Sequence, residues 1–154
     1  MEIERKFFVK NDSWKSKTLS STEITQFYLT GQGQFPSVRL RIAGDKGFLT
    51  IKYASVSDKI LARDEYEYAV PVQDVEAQID HATGSIIQKT RYIVQGADER
   101  IWEIDVFHNP SNIPVIAEIE LASLDAQVSL PDWVGKEVTS DHTYSNLAMS
   151  FRSK

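Results

Sequence analysis

Met1-Glu2-Ile3-Glu4-Arg5-Lys6 opens the chain with two carboxylates and an ammonium at i, i+2 and i+4. Successive side chains of a β-strand point to opposite faces, so Glu2, Glu4 and Lys6 share one face and Ile3, Phe7 and Val9 the other. Two like charges held close raise each other's pKa unless a cation sits beside them. Mg2+ and Mn2+ prefer hard oxygen ligands, and Mg2+ is usually held by one or two carboxylates plus substrate phosphates. Taken alone, the pattern also describes a solvated strand face. The remaining strands decide between the two.

Working outward, runs of β-branched and aromatic residues bounded by turn residues predict eight strands. They cover residues 2–9, 22–30, 37–43, 48–53, 61–70, 85–94, 100–107 and 115–121. Gly44-Asp45-Lys46-Gly47 is a hairpin turn with glycines available for positive φ. Asn11-Asp12-Ser13 offers N-cap chemistry for a short helix over 14–19. Val72, Val75, Ile79 and Ala82 have the spacing of one helix face over 72–82, after Pro71 and before Gly84. A further short helix is expected near 123–128. A C-terminal helix is expected from Thr143, with Asn146, Leu147 and Phe151 on or near one face. The fold class is therefore strand-dominated α+β: an antiparallel barrel or sandwich with a few short helices, as one domain over 1–154.

Aligned by parity, one face of each strand collects the charge. It carries Glu2, Glu4 and Lys6, then Arg39 and Arg41, then Lys52 with Thr50, then Arg63, Glu65 and Glu67. Lys89 and Arg91, Glu103 and Asp105, and Glu118 and Glu120 complete the set. Leu40, Ile42, Tyr66, Trp102, Ile104 and Ile119 mark the opposite face; Arg5 breaks the separation. Charges pair by sign within a strand, whereas a solvated face usually intersperses signs. Eight strands close into a barrel with room for side chains or one small ligand. If the charged face points inward, the lumen has an acidic wall and a basic wall. Buried charge is costly unless paired. Arg39, Arg41, Lys52, Lys89 and Arg91 suit a polyanion, since arginine forks match phosphate oxygens. Glu2, Glu4, Glu118 and Glu120 suit divalent metals that bridge to it.

Composition narrows the classes. Charge and hydrophobicity are ordinary for a globular domain, and the net charge of −5 argues against general nucleic-acid binding. The absence of cysteine excludes disulfides, thiolate metal sites and cysteine nucleophiles, and it suits a reducing compartment. No apolar leader and no run of about 18 apolar residues is present, so no membrane association is expected and the expected location is the cytoplasm. His81, His108 and His142 lack the i, i+4 spacing of a zinc site. Tyr28 faces either the lumen or the core. The apolar outer face exceeds what short helices cover, which leaves room for a homodimer.

In this order, Glu2-x-Glu4-x-Lys6, Arg39-Leu-Arg41, Thr50-Ile-Lys52, Glu65-Tyr-Glu67, Lys89-Thr-Arg91-Tyr92, Glu103-Ile-Asp105, Glu118-Ile-Glu120 and the tail Glu137-Val-Thr139 with Tyr144-Ser-Asn146 resemble the triphosphate tunnel metalloenzyme superfamily, also called the CYTH domain. The look is that of short bacterial members that hydrolyse inorganic triphosphate. The resemblance implies an eight-stranded antiparallel tunnel with triphosphate threaded through it and a divalent cofactor, Mg2+ or Mn2+. On that pattern Glu2, Glu4 and Glu120 would hold the metal that bridges the phosphates. Glu118, Asp105 and one of Glu65 or Glu67 would hold a second metal or the water it activates. Lys6, Arg39, Arg41, Lys52, Lys89 and Arg91 would bind phosphate, and Lys6 joins Glu65, Glu67, Asp105 and Glu118 as a catalytic candidate. The C-terminal helix would plug or line one mouth near Tyr144. Two stretches depart from the pattern: Ser140 to Ser145 carries none of the extra Lys or Arg common around this tyrosine, and Gln26 is followed by Phe27 rather than glycine.

Three readings follow. One is a metal-dependent triphosphatase releasing pyrophosphate and phosphate. A second is another enzyme on the same scaffold, hydrolysing thiamine triphosphate or nucleoside triphosphates or cyclising adenylate. The third is a non-catalytic polyphosphate binder, which would need the basic wall and little of the acidic one.

Overall fold

The computed structural model describes residues 1–56 and 61–150; the expected helix position Phe151 lies outside them, as do the side chains of Leu61, His142, Asn146 and Leu147. Ten strands are present among the described residues: β1 (Glu2–Val9), β2 (Thr18–Tyr28), β3 (Ser37–Ala43), β4 (Lys46–Lys52), β5 (Leu61–Arg63), β6 (Glu65–Val70), β7 (Ile87–Gln95), β8 (Ile101–Asn109), β9 (Ile116–Glu120) and β10 (Val134–Glu137). All pairings are antiparallel, in the order β10-β1-β9-β8-β7-β2-β3-β4-β6, and β5 pairs back onto β1. The sheet therefore rolls into a barrel.

The closure explains the count. Residues 61–70, expected as one strand, change partners at Asp64: β5 pairs Arg63 with Glu2, and β6 pairs Glu65 with Lys52. The first half of that run pairs with β1 and the second with β4, and that change of partner shuts the ring. The other addition is β10, which extends the edge of β1 beyond β5, with Phe7 opposite Glu137. Its short run Val-Gly-Lys-Glu carries little strand signal. A Cβ on Gly135 would meet the Phe8 carbonyl oxygen at 3.0 Å, so a side chain there would push β1 back by a few tenths of an ångström.

Helix content is lower than the spacing predicted. Residues 72–82 split into α1 (Val72–Glu76) and a 3-10 turn at Ile79–His81. The Gln78 side-chain amide donates to the Asp74 carbonyl, and the Gln78 backbone N–H turns to Val75 instead, which ends the α-helical ladder. The expected helix over 14–19 is a 3-10 turn, Ser13–Lys17, and Thr18 already belongs to β2 because it pairs with Val94. The expected helix near 123–128 is a turn: the Ser123 hydroxyl donates to Asp125, and the Gln127 amide donates to the Asp125 carbonyl. At the C-terminus a 3-10 turn, His142–Tyr144, precedes α2 (Asn146–Met149). No helix among the described residues is long and apolar enough to cross a membrane.

Outside the barrel, Phe7, Trp14, Trp102, Ile104, Ile119 and Trp133 form the main core, with Trp102 edge-on to Trp133 at 5.3 Å. A second cluster joins Phe27 and Leu40 to Val75 of α1. Cover is uneven, for Tyr66 and Tyr68 on β6 remain half exposed. Inside, the rows that carry charge turn apolar at one end. Ile87 continues the row of Lys89 and Arg91, Phe107 that of Asp105, and Ile116 that of Glu118. These three pack with Ile113, Met149 and Tyr144, and Phe8 meets Tyr144 edge-on at 4.9 Å. The C-terminal segment thus stoppers one end through apolar contacts. The Ser85 N–H donates to the Ser150 carbonyl at 2.6 Å, and a Cβ on Gly84 would come within 2.7 Å of that oxygen.

Candidate active site

The barrel interior is a cavity of about 810 Å3, within the range of small-molecule sites. Most residues singled out in the sequence converge on it. Glu2, Glu4 and Lys6 enter from β1, Arg39 and Arg41 from β3, Lys52 from β4, Glu65 and Glu67 from β6, Arg91 from β7, and Glu118 and Glu120 from β9. Tyr28, open between two orientations in the sequence, also lines it. Lys89 and Asp105 do not line the cavity; they lie buried beneath it.

Register explains the walls. Glu4 sits opposite Glu120, Lys6 opposite Glu118, and Glu103 opposite Glu118, so acids from β1, β8 and β9 adjoin. Glu4 is buried, and that burial, with Glu118 nearby, pushes its carboxyl up to about 7. Glu118 goes the other way, to about 2: burial opposes its ionisation, but Lys6 and Arg91 outweigh it. Glu2 and Glu65 share a hydrogen bond; burial pushes Glu2 up, while Glu65, likewise opposed by burial, is held down by that bond and by Lys52.

On the opposite wall, Arg39 Nη2 donates to Thr50 at 3.1 Å and lies 3.7 Å from Glu67. Arg41 Nε donates to Gln26 at 2.9 Å. Arg41 is pushed down to about 9 by burial and by its neighbours Arg39 and Arg91, so three guanidiniums repel one another around one space. Asp105 underlies them: it accepts from Arg91 Nε at 2.8 Å and Nη2 at 2.9 Å, and from Lys89 Nζ at 2.7 Å. Burial opposes ionisation of Asp105, yet Arg91 and Lys89 hold it well below the usual carboxylate range. Both of its oxygens are committed to cations.

A charged cavity closed at one end by apolar packing is built for a small polyanion, and comparison with known proteins agrees with that architecture. The CYTH domain family matches residues 1–150. The chain belongs to the CYTH domain family. An inorganic triphosphatase of Acetivibrio thermocellus is 38% identical over 151 residues, covering 94% of this chain and 90% of that protein. One from Nitrosomonas europaea is 34% identical, covering 97% and 96%. A solved inorganic triphosphatase structure superposes with a TM-score of 0.73 at 32% identity, over 99% of this chain and 96% of the other.

In this CYTH domain no group of three or more acids and histidines, among the described residues, is gathered closely enough to hold a metal ion by itself. The donor set nonetheless fits an ion that takes two carboxylates and completes its shell with phosphate oxygens and water. Burial, with Glu118 and Glu2 beside it, leaves Glu4 only partly ionised at neutral pH, and a divalent cation relieves that. Arg63, Glu103 and Thr139 also line the cavity but were assigned no role from the sequence. For Arg63 and Glu103 the signal was present as strand parity with Glu65 and Asp105.

Proposed function

We propose that this protein hydrolyses inorganic triphosphate to pyrophosphate and phosphate within the barrel, using Mg2+ or Mn2+ and acting in the cytoplasm. The observation that carries the reading is the Arg39–Arg41–Arg91 cluster facing an acidic wall across one cavity. Its mutual repulsion is relieved by a chain of phosphates, and an acidic wall serves nothing in a simple anion binder. The names of the relatives and of the similar solved structure support the same substrate.

Arg39, Arg41 and Arg91 take the phosphate oxygens, with Lys6 and Lys52 on the flanks. Glu2, Glu4 and Glu120 are the residues that would hold a divalent ion. Bound there, such an ion neutralises phosphate oxygens and makes water more acidic. Glu118 is kept ionised by Lys6, 4.0 Å away, and is the group to orient the attacking water, whose proton passes to a phosphate oxygen of the products. Water oxygen bonds to the terminal phosphorus in line as the bridging P–O bond breaks, and the electron pair leaves with pyrophosphate. Glu65 belongs with the acidic wall through Glu2, whereas Glu67 accepts from Thr50 at 3.0 Å and steadies Arg39. Asp105 we assign to orienting Arg91 and Lys89 rather than to metal.

The test is phosphate release from inorganic triphosphate, ATP and thiamine triphosphate, each with Mg2+, with Mn2+ and with chelator. Metal-dependent release from inorganic triphosphate well above the organic substrates is expected. Faster release from either organic substrate sinks the proposed specificity, and release that survives chelator sinks the metal.

A further inference from the structure

Arg63 stands on β5, the strand that shuts the barrel, directly opposite Glu2 and two pairs from Glu4, the next residue on the same face of β1. Its guanidinium reaches both acids: Nη2 lies 3.4 Å from Glu4 Oε1, and Nε lies 3.8 Å from Glu2 Oε1. Both distances exceed the roughly 2.7–2.9 Å of a tight charge-assisted bond. Arg63 Nε is buried without a hydrogen-bond partner, although the side chain lines the cavity and is only 13% exposed. Lys52, another cation on this wall, reaches Glu2 and Glu65, at 3.4 and 3.6 Å, and Lys6 lies 4.0 Å from Glu118. Arg63 thus makes an ion pair with Glu4 at 3.4 Å, in a position that a divalent ion would need.

We propose that Arg63 is a built-in competitor for the metal: its guanidinium occupies the Glu2 and Glu4 oxygens, gives them up when the divalent ion binds, and then turns its unsatisfied N–H groups to phosphate oxygens. The proposal rests on the reading that Glu2 and Glu4 hold the ion. Its physical content is an exchange. A loosely held guanidinium keeps two crowded carboxylates in place, and a dication displaces it because each carboxylate gains more from the higher charge. The displaced arginine adds a cation to the anion side, so metal and triphosphate reinforce each other's binding.

Mn2+ binding to the full chain, without triphosphate, is measured by titration calorimetry for wild type, Arg63→Gln, Arg63→Lys and Glu4→Gln. Arg63→Gln should bind Mn2+ at least about fivefold more tightly than wild type, because a like charge has left the site. Arg63→Lys keeps the charge and should stay near wild type, which separates the effect from general damage to the fold. In chelator, inorganic triphosphate should raise the melting temperature of Arg63→Gln and wild type equally; with Mn2+ present, the KM of Arg63→Gln should rise. Weaker Mn2+ binding in Arg63→Gln would make Arg63 a mere support for the carboxylates, and unchanged binding would make it a plain phosphate ligand. Either outcome overturns the exchange. If Mn2+ binds wild type and Glu4→Gln alike, the metal site itself has been misassigned, and the exchange falls with it.

Discussion

The two walls of the barrel hold charge in opposite ways. On the basic wall, Asp105 grips Arg91 and Lys89 through contacts of 2.7–2.9 Å, with Asp105 and Lys89 themselves buried. On the acidic wall, Glu2, Glu4 and Glu118 meet their cations at 3.4–4.0 Å. The first is a finished ion-pair network, and its rigidity fixes where phosphate oxygens can lie. The second is underfilled at Glu2 and Glu4, whose burial the nearby cations do not offset. Preorganisation belongs on the side that binds substrate, and looseness belongs where an ion must enter.

The largest effect should come from breaking the finished network. Asp105→Asn removes the carboxylate that both cations share, taking from Lys89 its 2.7 Å ion pair and leaving Arg91 with Glu103 at 3.2 Å, a loss on the order of 3–5 kcal/mol. Urea denaturation should show a midpoint far below wild type. If the variant keeps wild-type stability, the basic wall is not the structural member described.

Neutralising the other wall should do the reverse to stability while harming activity. Glu4→Gln removes a carboxyl held at about 7 against an ordinary 4.5. That raised value means the folded state binds the proton more tightly than the unfolded state. The resulting stabilisation is fully present below about 4.5 and is lost as pH rises through about 7. Metal-free wild type should therefore lose a few kcal/mol between those limits, and Glu4→Gln should flatten the profile. Glu118 and Asp105 act with opposite sign: their depressed values contribute stability above the usual carboxylate range that disappears under strongly acidic conditions. Turnover of inorganic triphosphate by Glu4→Gln should fall about a hundredfold or more. A variant with full turnover would remove Glu4 from the acidic wall's chemistry.

The contrast between the walls was only half legible in the sequence. Period-2 alternation assigned a face to each charge, and that assignment holds for Glu2, Arg39, Lys52 and Glu118, which all line the cavity. Alternation says nothing about depth along the barrel axis. Lys89 and Asp105 share a face with Arg91 and Glu103, yet they lie one step nearer the stoppered end and are buried under them. The stopper itself was written on the same rows, as Ile87, Phe107 and Ile116. Parity placed Arg63 on the charged face, but its position beside Glu4 was not legible. Its proximity to Glu4 depends on the strand changing partners at Asp64, a consequence of ring closure that no local pattern encodes.

The smallest effect isolates what burial adds. Arg5, which broke the face rule, lies on the outside and reaches across to Glu137 of β10 with Nη2 at 2.7 Å, while its guanidinium stands 5.1 Å over the Phe7 ring. That distance equals the 2.7 Å between Lys89 and Asp105. The surroundings differ: the Arg5 and Glu137 side chains are 26% and 34% exposed, those of Lys89 and Asp105 0% and 2%. Water and salt screen the outer pair, and removing one partner leaves the other hydrated. Arg5→Ala should therefore cost no more than about 1 kcal/mol in urea denaturation, with the cost shrinking at high salt. Glu137 keeps the Thr139 hydroxyl as a donor at 2.6 Å, which limits the loss further. A cost matching that of Asp105→Asn would mean that contact geometry rather than burial sets the strength of these pairs, and the distinction between a rigid wall and a loose one would then reduce to distance alone.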